Sequence, residues 1–181
     1  MKCAVLVVTA LAAGTMISAA SAASAPQFVG VIEERDPSNG NYTELERQTP
    51  VQSHSVEALG WGSYDDFLEF VGERSPVRFK SGTPLEFVVA VQHQDTDPQE
   101  SIQFWRLLPK DGKRSLHTGH AGSGMLSSTT TSVTDEQRVL FSAETFGGTF
   151  YKIVATQPLP PGEYSLNTTT NPESFNFGID P

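Results

Sequence analysis

The sequence predicts an all-β protein, an antiparallel β-sandwich with one short helix near residues 63–71. Three observations lead there. Beyond Pro76, apolar residues alternate with polar ones over short stretches, the period of a half-buried strand. Turn-forming clusters separate these stretches: Ser81-Gly82, Asp95 to Pro98, Pro109 to Gly112, Gly147-Gly148 and Pro160 to Gly162. Only one segment shows helical spacing. Short strands with hardly a helix between them pair antiparallel and close into a sandwich or a barrel, and the sandwich is the expectation here.

The first 22 residues stand apart. Met1-Lys2 precedes a stretch from Ala4 to Ile17 that is apolar apart from Thr9, Gly14 and Thr15, followed by small residues from Ser18 to Ala25. A membrane-spanning helix needs about 20 apolar residues, so this shorter run reads as a secretory signal peptide, with Ala20-Ser21-Ala22 as the cleavage motif. Removing 22 of the 181 residues leaves 159, and loss of Lys2 takes the net charge from −9 to −10. The only cysteine, Cys3, leaves with it, so the expected mature chain has no disulfide and no thiolate site. The expected location is periplasmic or extracellular.

Residues 23–55 are a polar N-terminal segment expected to join the sandwich, which takes up 56–181. Phe28 to Ile32 is a short apolar strand, Asp36-Pro37-Ser38-Asn39-Gly40-Asn41 is a turn, and Tyr42 to Glu46 is extended. In Ser63 to Val71, Tyr64, Phe67, Leu68 and Val71 recur at helical spacing; Ser63 and Asp66 suggest a capping box and Gly72 a helix end. Leu85, Phe87, Val89 and Val91 form one apolar strand face, with Val88 and Ala90 on the other. Ile102 to Leu108 is expected to fold back on Arg114 to His117 through the four residues Pro109 to Gly112. Val139 to Phe141, Phe150 to Ala155, Gly162 to Leu166 and Phe175 to Ile179 complete the strands.

Charge excludes several partners. The 21 acidic residues outnumber 12 scattered basic ones, so neither nucleic acid nor an anionic membrane surface is expected to bind. His117 and His120 are a close pair near Met125 and, with His93 or Asp95 brought across the fold, could ligate copper or zinc; two ligands alone do not close a site. Asp95, Asp97 and Glu100 have carboxylate spacing, yet the calcium-loop pattern fails with Glu100 at its sixth and Arg106 at its twelfth position. Ser123 lies directly between Gly122 and Gly124, which is not the G-x-S-x-G elbow of a hydrolase. Asp65 and Asp66 would point to different sides of a helix. Trp61, between Gly60 and Gly62, is a candidate partner-binding anchor, whereas Trp105 is assigned to a core with Phe79, Phe87, Phe104 and Phe141.

Several phrases taken in order, LERQ at Leu45 to Gln48, GERSPVRFKSG at Gly72 to Gly82, PLEFVVAV, DGKR, PPGEY and the terminal FNFGID, resemble a class of uncharacterised bacterial secreted all-β proteins. The resemblance covers nearly all of the chain after the leader. Pro161 to Tyr164 is similar to the turn entering a late strand of immunoglobulin-like modules, which implies an immunoglobulin-like sandwich. It implies no activity and no site residues. The expectation is therefore an exported binding or structural protein without a cofactor and without catalysis, its partner a protein or small ligand. The alternative is a metal or small-ligand carrier using His117 and His120. A reducing agent should leave the melting temperature of the leaderless chain unchanged; a shift of several degrees in a thermal melt would overturn the disulfide-free reading.

Overall fold

In the computed structural model the described residues are 25–56, 63–92, 97–124, 127–131 and 134–181, so the expected leader, Trp61 and His93 lie outside them. Among these residues fourteen strands build two sheets, antiparallel except for one parallel pair at β14, and the fold is an all-β sandwich. The first sheet is formed by β1 (Ile32–Arg35), β2 (Tyr42–Glu44), β7 (Glu86–Ala90), β11 (Phe141–Phe146) and β12 (Phe150–Ala155), in the order β11-β12-β7-β1-β2. The second runs through β3 (Glu46–Gln48), β14 (Ser174–Asp180), β13 (Gly162–Thr168) and β8 (Ile102–Lys110) to β9 (Lys113–Gly124), β5 (Ser63–Val71) and β4 (Val51–Val56). Two further strands join it, β6 (Arg78–Lys80) on β14 and β10 (Ser127–Thr131) on β9. Among the described residues no helix is long and apolar enough to cross a membrane.

Alternation decides which side chains enter the core. Ile102 and Phe104 of β8, Tyr164 and Leu166 of β13, and Phe175, Phe177 and Ile179 of β14 face Ile32, Phe87, Val89 and Ile153 of the first sheet. Phe177 is the hub, with ring centroids 4.9 Å from Phe87, 5.4 Å from Tyr164 and 5.8 Å from Phe79. The Tyr164 hydroxyl donates to the Pro160 carbonyl at 2.6 Å, so the ring is buried while its polar end is satisfied.

The second sheet divides along β8. Residues 102–107 pair with β13, but 108–110 pair with β9, and from there β9, β5 and β4 turn away as an outer leaf. This leaf lies over the outward face of β8, β13 and β14: Phe70 and Leu116 pack on Leu107, with Leu68 and Trp105 beside them. Where β8 and β9 part, the buried Gln137 side chain replaces the ladder, donating to the carbonyls of Arg106 (2.8 Å) and Ser115 (3.3 Å) and accepting from the His117 amide (2.9 Å).

Two expectations are corrected here. Residues 63–71 are strand β5, not a helix: two ladders, to β4 and β9, hold them extended, and the aromatic and β-branched residues suit a strand. Phe70 is buried and Val71 is 78% exposed, the reverse of what the helical spacing required. The short helix instead spans Pro98–Ser101, where Asp97 accepts the Gln99 amide at 2.8 Å as N-cap and Pro98 occupies the first turn. The β8–β9 connection is two residues, not four, because Pro109 and Lys110 stay in the ladder opposite Arg114 and Lys113. Asp111 (φ 53°) and Gly112 (φ 79°) take the two left-handed positions of a tight hairpin turn.

Gly178, inside β14, has a packing reason. A Cβ there would lie 2.1 Å from Nη1 of Arg78, whose guanidinium crosses the strand to bind Glu163 (2.6 Å) and Asp180 (2.8 Å). Burial works against that charge, but the two carboxylates outweigh it and hold the Arg78 pKa above its ordinary value. Gly178→Ala should therefore cost about 2–4 kcal/mol in chemical denaturation by displacing Arg78 from the buried Glu163. In an Arg78→Ala background the added cost should fall below about 1 kcal/mol; equal costs in both backgrounds would overturn the account.

Candidate functional site

The two described histidines singled out from the sequence do meet. Three positions apart on a regular strand they would face opposite ways, but β9 carries a bulge: Asp66 pairs with Gly119 and Phe67 with His117, leaving Thr118 as the extra residue. His120 then lies opposite Asp65, and both rings donate to the same oxygen, His120 Nδ1 at 2.7 Å and His117 Nε2 at 3.1 Å from Asp65 Oδ1. Phe67 stacks on His117 with centroids 4.9 Å apart. The hydrogen bond from His120, opposed by partial desolvation and aided by His117, holds the Asp65 carboxyl below the usual range. Asp66, on the other face of β5, pairs with His54. The two aspartates point apart, as expected, though by strand alternation. His93, Asp95 and Met125 lie outside the described residues, and among the described residues no group of three metal-ligating side chains is arranged to hold an ion.

A second site has no counterpart in the sequence reading. Between the outer leaf and the sandwich lies a cleft of about 460 Å³, within the size range of small-ligand sites. Its floor is the outward face of the sandwich, and pairing arranges that face in rows across the strands. Gln103, Asn167 and Ser174 form one row and Trp105 and Ser165 the next; beyond the cleft the rows run on to Gln48 and to Asn176 and Glu46. Leu68, Phe70, Leu116 and Thr118 of the outer leaf close the opposite wall. Trp105 is half-buried in this cleft, not in the main core, because its neighbour Phe104 takes the inward position. Ser165 Oγ and both polar atoms of the Asn176 side chain are buried without a hydrogen-bond partner in the protein.

An ionic clamp closes one end of the cleft. Arg114 of β9 is fully buried between the layers; it donates to Glu46 (2.8 Å) and to the carbonyls of Gly72 and Val71 (both 3.0 Å), with Glu163 at 3.8 Å. Glu163 also accepts from Arg78 and from the Ser75 amide at 2.8 Å.

Sequence reasoning missed the floor residues, although a signal was present. Between Glu163 and Asp180 at one end, the non-core positions of β13 and β14 are Ser165, Asn167, Ser174, Asn176 and Gly178, small uncharged residues where an open face would carry more lysine or glutamate. Glu34, on β1 between β7 and the edge strand β2 of the first sheet, is a different kind of perturbed group. Burial, against a hydrogen bond from Thr43 and with Asp36 and Glu86 nearby, pushes its pKa up to about 7. A raised carboxyl favours folding most below its unfolded pKa, and that advantage is lost as pH rises through about 7. Glu34→Gln should thus match the wild type near pH 5 and exceed its stability near pH 8 by on the order of 2 kcal/mol; parallel stability curves would overturn this.

No family model, characterised protein or solved structure matches the chain, so the reading of its sites rests on their geometry.

Proposed function

We propose that the chain is an exported, non-catalytic binding protein whose ligand sits in the cleft between the outer leaf and the sandwich. The apolar leader of residues 1–22 supports export. The observation that carries the binding reading is the unpartnered hydroxyl of Ser165 in the cleft lining, in one row with Trp105 and beside the half-buried amides of Gln103 and Asn167. A buried hydroxyl left unpaired costs about 1–3 kcal/mol, and a ligand hydrogen-bonded to the floor offsets part of that cost. Trp105 adds a flat apolar surface beside them. The test is a thermal-shift screen of small molecules against the wild type and Asn167→Trp, which fills the cleft. A saturating ligand should raise the melting temperature by several degrees, and the shift should vanish in Asn167→Trp. Shifts that persist in the variant, or no shift from any compound, would overturn the reading.

The convergence of His117 and His120 on Asp65 favours a second reading, a metal carrier. An ion there would have to replace both ring-to-carboxylate hydrogen bonds. Zinc or copper should then raise the melting temperature of the wild type and leave that of His117→Ala/His120→Ala unchanged; equal shifts in both chains would reject it.

A further inference from the structure

We propose that the ligand of this cleft is a neutral saccharide. The inference rests on the binding reading above and adds the ligand's chemistry, which three features of the cleft define.

Among the described residues no charged side chain lines the cleft, although the chain has 21 acidic and 12 basic residues. Arg114, Glu46 and Glu163 satisfy one another and the backbone at its end, so a charged ligand would enter without a counter-charge. The occupant is neutral.

The floor asks for a ligand that both donates and accepts. Asn167 donates from Nδ2 to Gln103 Oε1 at 3.0 Å, which orients both amides: Gln103 keeps an N–H to offer and Asn167 a carbonyl oxygen. Ser165, one row along, carries a hydroxyl that can do either and has no protein partner. A purely apolar ligand would leave these groups desolvated and unpaired, at about 1–3 kcal/mol each. Hydroxyl groups meet both demands with one functional group.

The remaining surface is apolar and partly aromatic. Trp105 stands in the floor beside the amides, and Leu68, Phe70 and Leu116 face it from the outer leaf. A saccharide ring has C–H faces for the indole and the leucines and a rim of hydroxyls for the amides and Ser165. Its two kinds of surface match the two kinds of wall.

The test follows Trp105 fluorescence in the full chain carrying Trp61→Phe, which leaves one tryptophan. Titrants are neutral mono- and disaccharides, glucuronate as a charged sugar, and phenol as a neutral, mainly apolar ring. At least one neutral sugar should give a saturable change. Glucuronate should bind roughly tenfold more weakly or worse, and Asn167→Leu and Ser165→Ala should each weaken the neutral sugar by about tenfold while circular dichroism stays unchanged. Saturation by phenol alone, abolished by Asn167→Trp, would overturn the saccharide assignment and leave the cleft as a binding site. Binding of neutral sugars with equal strength in Asn167→Leu and Ser165→Ala would also overturn it. No saturable change with any titrant would overturn both.

Discussion

Arg114 is the constraint on which the arrangement of layers depends. Removing a guanidinium from water is expensive, and the cost is offset only when every donor is used well. Here Glu46 of the sandwich and the Val71 and Gly72 carbonyls of the outer leaf converge on it, so one side chain ties an end of β5 to the edge of β14's sheet. Apolar packing alone is thin at this interface, because the fully buried residues there are Phe70, Leu107 and Leu116. The charge network fixes where the leaf sits; those three residues keep it dry.

The same arrangement explains why the cleft exists. The leaf is pinned at the Arg114 end and by the β8–β9 hairpin, while Gln137 props β8 and β9 apart farther along. Two surfaces joined at one end and wedged beyond it leave a gap between them. The rows of Ser, Asn and Gln line that gap, and small side chains leave it open where larger ones would fill it.

Much of the fold was legible in the residues themselves. Strict alternation in Phe175-Asn176-Phe177-Gly178-Ile179 places three side chains in the core, and the Asp36 to Asn41 cluster forms the expected turn, with the Ser38 amide donating to the Asp36 carboxylate at 2.8 Å. What alternation cannot encode is a third layer. A strand with one apolar face reads the same whether its other face meets water or a polar underside, so the outer leaf was invisible and Trp105 was assigned to the wrong side. The β5 error has a related origin: Tyr64, Phe67, Leu68 and Val71 fit a helical period over nine residues, too few to separate a helix from a strand whose pairing partners lie far along the chain. The meeting of His117 and His120 depended on a bulge that no local pattern announces.

The pairing of β3 with β14 sets the order in which this chain can become itself. Among the described residues, residues 46–48 find their ladder partner only in residues 174–176, so an early segment of the second sheet must wait for one made far later in the chain. β1 likewise waits for β7, and β6 for the same final strand as β3. Such distant contacts demand large loop closures before they repay any free energy, and chains dominated by them fold slowly. The sandwich therefore closes only once residues 174–180 have been made, and until then the chain stays an open polymer.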